Sequence, residues 1–120
     1  MKKTAVLGAS TNPQRYSFLA TQMLQENGLE VLPLGIKEGL CAGLPIVTKW
    51  PEKVDDLDTL TLYLGPKNQP EHYAFILGLK PRRIIFNPGT ENSELAALAT
   101  IQGIEVEEAC TLVLLRTGQY

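Results

Sequence analysis

Apolar positions along this chain fall into short continuous runs, separated by stretches in which they recur every three or four residues. Thr4 to Leu7 is the first run, closed by Gly8, and reads as a strand covered on both faces. From Ser17 through Asn27, Phe18, Leu19, Met23 and Leu24 recur at helical spacing. Ser17 stands where an N-cap is expected, and Gly28 where a helix ends in the left-handed conformation. Glu30 to Leu34 is a second strand. Gly35 to Trp50 holds too many glycines and prolines for a packed element and reads as loop, with a brief extended piece at Leu44 to Val47.

The alternation then repeats. Leu60 to Leu64 predicts a third strand ending at Gly65-Pro66, and Pro70 to Leu79 a helix, with Asn68 a possible cap and Pro70 in the first turn. Arg83 to Phe86 is a strand closed by Asn87-Pro88-Gly89. Ser93 to Gln102 is a helix with Leu95, Leu98 and Ala99 on one face, ending at Gly103. Ile104 to Glu107 supplies a last strand. Thr111 to Leu115 reads as strand or as a terminal helical turn, which periodicity alone does not decide, and helix is the expectation taken. Strands alternating with helices predict one α/β domain over residues 1–120, a three-layer sandwich with a mainly parallel sheet and right-handed crossovers.

Composition narrows the partners. A chain of 120 residues with 44% apolar content buries one modest core without disulfides or metal. Eleven basic against 13 acidic residues, a net charge of −2, give no broad positive field for nucleic acid. The apolar run after Lys2-Lys3 is too short for a signal peptide, and no stretch approaches the about 18 apolar residues of a membrane span, so a soluble cytoplasmic protein is expected. Cys41 and Cys110 stand in no metal-ligand or redox spacing.

In an open parallel sheet, ligands bind outside the carboxyl ends of the strands, which directs attention to four loops: Gly8 to Tyr16, Gly35 to Ala42, Gly65 to Gln69 and Asn87 to Asn92. The first lacks the G-x-G-x-x-G of a dinucleotide site, but Gly8 can turn tightly, Ser10, Thr11 and Asn12 offer polar groups, and the following helix offers unpaired amides to a phosphate. Ser10, Asn12 and Ser17 are equally at home as turn and cap residues. At the end of the second strand, where an NAD site places an acid for the ribose diol, stand Leu34-Gly35-Ile36; Lys37, just beyond, suits an additional phosphate, although a solvated loop lysine is the commoner fate.

Three stretches carry a resemblance. Val6 to Ser17, with its Gly-x-Ser-x-Asn-Pro-x-Arg loop, Val31 to Lys37, and Asn87 to Leu95 resemble the stand-alone coenzyme A-binding proteins, which are similar to the N-terminal domain of the succinyl-CoA synthetase α subunit. Gly103 to Cys110 is similar to the family's closing segment. The chain departs from it at Gly35-Ile36, where Asn-Pro is common, and at Pro88-Gly89, where Gln-Gly is. The resemblance implies a Rossmann-like fold and a ligand that is CoA or acyl-CoA. Its adenine and ribose would lie near Gly35 to Lys37 and Gly65-Pro66-Lys67, its pyrophosphate over Ser10 to Arg15, with Arg15 and Lys37 on phosphates and Asn87 and Gly89 in the last loop. The synthetases' phosphorylated histidine belongs to a second domain, so ligase activity is not expected here.

His72 lacks an adjacent nucleophile or paired carboxylate and reads as a surface helix residue. Asp55, Asp56 and Asp58 lack the spacing of a calcium loop and read as a solvated turn. Cys41, in the glycine-rich loop, is the thiol expected to be accessible to a ligand, and Cys110 the one expected to be buried. The leading expectation is a non-catalytic CoA-binding or regulatory module, possible as a homodimer. The alternatives are an NAD(P)-binding redox sensor and a ligand-free interaction domain working through exposed apolar surface at Trp50.

Overall fold

The computed structural model describes residues 2–120. Its centre is a five-stranded, wholly parallel sheet in the order β2-β1-β5-β6-β7, formed by β1 (Lys3–Leu7), β2 (Val31–Leu34), β5 (Leu57–Leu62), β6 (Arg83–Phe86) and β7 (Glu105–Glu108). Two further two-residue strands, β3 (Leu40–Cys41) and β4 (Leu44–Pro45), make a small antiparallel hairpin. Beyond it, Val47 joins the outer edge of β2 through one parallel bridge to Leu34, donating its amide to the Pro33 carbonyl and accepting from Gly35. Counted as a one-residue strand, Val47 completes the order 3-2-1-4-5-6 of a doubly wound dinucleotide-binding sheet, with the hairpin in place of a crossover helix. Pro33 is compatible with strand structure because its missing N–H lies on this outer edge.

Among the described residues, four helices cover the sheet: α1 (Tyr16–Glu26), α2 (Tyr73–Gly78), α3 (Ser93–Ile101) and α4 (Thr111–Arg116). Alternate residues of each strand serve opposite faces. Ala5, Leu7, Leu60, Leu62, Ile84 and Phe86 pack with Ile76 and Leu79 of the α2 region and with Leu95 and Ala99 of α3. Val6 meets Leu24 of α1 and Leu115 of α4 on the other face. That second face is partly polar. Thr4, Thr59, Thr61 and Arg83 are all buried there; Arg83 donates to Thr59 Oγ1 at 3.1 Å, approaches Glu107 at 3.4 Å and stacks on Tyr120, whose hydroxyl bonds that of Thr4.

Several boundaries differ from expectation. β5 begins at Leu57 and ends at Leu62, not at Leu60 and Leu64, because Thr59 and Thr61 supply the buried polar face and interrupt the apolar run. The helix expected over Pro70 to Leu79 is a 3₁₀ turn, Pro70–His72, followed by the short α2, and another 3₁₀ turn, Pro66–Asn68, precedes it. A proline opens each turn and lacks the N–H to continue a preceding helix. Asn68 caps nothing. Ser17 is not the cap of α1 either: Arg15 holds that position with no side-chain bond, and Ser17 is buried within the first turn. Gly28 does end α1, at φ +76°, and α4 is helical.

Candidate functional site

The loops that follow β1, β2, β5 and β6 surround one cavity of about 600 Å³. It straddles the boundary between β1 and β5, where the order of strands reverses and where an open α/β sheet leaves a crevice.

The first wall runs from Gly8 to Asn12 and continues through Arg15 to Ser17. Gly8 adopts φ +103°, and a Cβ there would lie 3.2 Å from the backbone of Tyr63, so the turn needs glycine twice over. Ser10 Oγ accepts from the Asn12 amide and Asn12 Oδ1 from the Gln14 amide, both at 3.0 Å, while the Asn12 carbonyl accepts from Arg15 N at 3.0 Å. These bonds wind the loop into α1 and leave the amino end of the helix without a capping side chain. Tyr16 and Ser17, whose amides belong to that end, line the cavity.

The second wall is Gly35, Ile36 and Lys37, backed by Ile46 and Trp50. Gly35 is buried against the first loop: an added Cβ would meet the Ala9 carbonyl oxygen at 2.8 Å and Ile46 Cγ2 at 2.9 Å. Trp50 donates from Nε1 to the Gly35 carbonyl at 3.0 Å and packs between His72 and Phe75, with ring centroids 4.8 and 5.0 Å away. Trp50 is therefore half-buried scaffolding and not the exposed apolar surface expected of it. His72 lies in a 3₁₀ turn against that ring, not on the surface of a helix.

Tyr63, Leu64 and Gly65 form the third wall and Pro88, Gly89 and Thr90 the fourth. Arg15 and Lys37 are the charged side chains on the lining among the described residues, and both are exposed. Burial pushes the Tyr63 hydroxyl up to about 12, against opposing hydrogen bonds with Thr111 and Thr61, so it stays protonated at any ordinary pH.

The structure thus brings Gly8, Ser10, Thr11, Asn12, Arg15, Gly35, Lys37, Gly65 and Gly89 to one cavity. Pro66 and Lys67 lie exposed in the adjoining turn, outside the lining. Asn87 is buried beneath it, with its amide fully engaged: Nδ2 donates to Thr61 Oγ1 at 2.7 Å and to the Leu62 carbonyl at 2.9 Å, and Oδ1 accepts from Thr111 N at 3.0 Å. It ties β6 to β5 and to the start of α4. Tyr63 and Thr90 were not singled out from sequence, and Trp50 only as exposed apolar surface; an aromatic just past a strand end was the available signal for Tyr63.

The two cysteines exchange their expected places. Cys41 is fully buried in β3, which folds back toward α1, where Gln25 Nε2 donates to the neighbouring Ala42 carbonyl at 2.9 Å. Cys110 is half-buried at the start of α4, and both thiols are free. Asp58 is drawn out of the expected solvated turn into a pair with Arg82 at 2.8 Å. Burial raises its pKa, but the hydrogen bonds from Arg82 and Thr59 outweigh this and hold it below the usual carboxylate value. Among the described residues, no three His, Cys, Asp or Glu side chains cluster as a metal site, and no helix is long and apolar enough to cross a membrane.

Sheet order, covering helices and a cavity at the strand-order reversal define a Rossmann-like α/β domain. Residues 2–116 match the family described as CoA binding domain, and the chain belongs to it. A solved structure of an uncharacterized protein is 46% identical with a TM-score of 0.96, covering 100% of this chain and 98% of the other. A protein from Thermus thermophilus is 26% identical with a TM-score of 0.82, covering 99% and 90%. A conserved hypothetical protein from Pyrococcus furiosus is 26% identical with a TM-score of 0.73, covering 89% and 92%. No curated protein matches the chain.

Proposed function

We propose that the cavity binds coenzyme A or an acyl-CoA and that the protein acts as a non-catalytic binding or regulatory module. The observation that carries this reading is the convergence of an uncapped helix end, Arg15 and Lys37 on one cavity whose lining, among the described residues, includes no carboxylate. An anionic group gains from the helix dipole, the unpaired amides and both cations. Membership of the CoA binding domain family supports the choice of ligand. In this reading the pyrophosphate lies over Ser10 to Arg15 and the adenosine near Gly35 to Lys37; Gly65 to Lys67, expected beside the adenosine from the resemblance, reach the cavity only at Gly65, which with Gly89 borders the remainder. With Gly35 at the end of β2 there is no acid to hold a free ribose diol, which disfavours NAD.

Thermal unfolding with CoA, acetyl-CoA, NADH, NADPH and ADP tests it, because a ligand held only by the native state raises stability by about 2.7 kcal/mol at a hundred times its Kd. CoA or acetyl-CoA is expected to raise the midpoint by several degrees, and Lys37→Ala to reduce the rise. A shift with NADH or NADPH alone would replace this reading with a redox sensor, and no shift with any of them with an interaction domain.

A further inference from the structure

Gln69 is fully buried, between two 3₁₀ turns, and has no part in the cavity lining. Its Nε2 donates to two backbone carbonyls, Leu64 at 2.9 Å and Thr90 at 2.8 Å. Leu64 and Thr90 belong to the third and fourth walls of the cavity, so one nitrogen pins both loops from behind. The other end of the amide is also committed: Oε1 accepts from Asn92 Nδ2 at 2.8 Å. That same Asn92 donates to Tyr73 Oη at 2.8 Å and uses its Oδ1 to cap α3 at the amides of Glu94 and Leu95.

A glutamine is rarely fully buried, and a buried amide without partners is strongly unfavourable, so this one fits only where its two donors and its acceptor are all matched. The other tie lies at the root of the β6 loop, where Asn87 donates to Thr61 and to the Leu62 carbonyl. Thr90 is bonded within its own loop, through N and Oγ1 to the Asn87 carbonyl, and Gly89 N within its own loop to Glu91.

We infer that Gln69 is a positioning residue for ligand binding: it holds the β5 and β6 loops at a fixed separation, so that the side of the cavity bordered by Leu64, Gly65 and Pro88 to Thr90 is formed before a ligand arrives. The inference rests on the reading that CoA occupies this cavity, with its phosphates at the cationic end and its pantetheine arm between these loops. Preorganisation of this kind lowers the ordering cost of binding without adding a contact.

Gln69→Leu keeps much of the volume and removes every bond. Gln69→Glu keeps the acceptor for Asn92 and removes the donors, and serves if the leucine variant does not fold. Amide hydrogen exchange is measured on the free protein, and titration calorimetry is run with CoA and with adenosine 3′,5′-bisphosphate, which carries phosphates but no pantetheine. Expected is faster exchange at Asn68 and at Thr90 together, with β1 and α1 unchanged. Affinity for CoA should fall about tenfold or more, the equivalent of losing preformed loop order, and affinity for the bisphosphate by less than twofold. Equal loss for both ligands, or retained CoA affinity, overturns the inference and leaves Gln69 a stabilising residue only. If the wild-type protein binds neither ligand, the proposed function fails, and the exchange arm alone decides the latch: unchanged exchange in either loop overturns it.

Discussion

Gly35 and Gly65 both border the cavity but impose different demands. A Cβ on Gly35 would press on the Ala9 carbonyl oxygen at 2.8 Å, which belongs to backbone and cannot swing aside, whereas one on Gly65 would meet nothing within 4 Å. Gly35→Ala is expected to cost about 1–3 kcal/mol in urea unfolding through overpacking, and Gly65→Ala to stay within about 0.5 kcal/mol of wild type. Asn87 is a residue of scaffold rather than contact. Replacing it by Ala strands the Leu62 carbonyl and the Thr111 amide, and a loss of about 2–4 kcal/mol is expected in the same measurement. Tyr63 makes the alkaline limit of stability legible. Its proton is held to about 12 in the fold against 10.0 for the free side chain, so between those values the native state binds more protons than the unfolded one. The stability it contributes is complete below pH 10 and is lost as pH rises toward 12. Tyr63→Phe should flatten the fall in unfolding free energy over that window; an unchanged slope would assign the fall to other groups such as Tyr120, whose pKa burial also raises.

Among the elements, those with one uniform demand were readable from sequence. β1, β6 and α3 announce themselves because each packs a continuous apolar run or stripe, and Gly28 marks the end of α1 because the turn there needs φ +76°. β5 was displaced because Thr59 and Thr61, polar and fully buried, find their partners in Arg83, Thr111 and Asn87, a condition that no local pattern carries. The same limit applied to the site. Loop positions such as Gly8, Arg15 and Lys37 were legible since any parallel sheet puts them at its carboxyl edge. The burial of Cys41, the scaffold role of Trp50 and the placement of Gln69 depend on tertiary contacts between residues 15 to 21 positions apart: Gln25 with Ala42, Trp50 with Gly35, and Gln69 with Thr90. Asn92 was visible only as a turn residue, yet it caps α3. Asn92→Ala is expected to lower stability by about 1 kcal/mol for the cap alone, and by more because Tyr73 and Gln69 lose a partner, as chemical unfolding will show.

The molecule as a whole carries a net charge of −2, yet among the described residues the charged side chains of its cavity lining, Arg15 and Lys37, are both positive. A polyanionic ligand is thus repelled weakly at a distance and attracted at the site, where both cations are exposed and within reach of salt. Affinity for CoA is expected to fall steadily as ionic strength rises from about 0.05 M to about 0.5 M, where the screening length drops below the size of the site. Arg15→Ala should make calorimetric titrations less sensitive to salt as well as weaker; equal salt sensitivity would place the phosphates elsewhere. The sheet itself has two unlike borders. On the β2 side, Val47 occupies the hydrogen-bonding positions of Pro33 and Gly35, and the proline has no hydrogen to offer. On the β7 side no strand follows among the described residues, and the edge carries three glutamates. Like charges along that rim repel a second copy of the same edge, so the border that the sheet leaves uncovered is also the one least suited to pairing with itself.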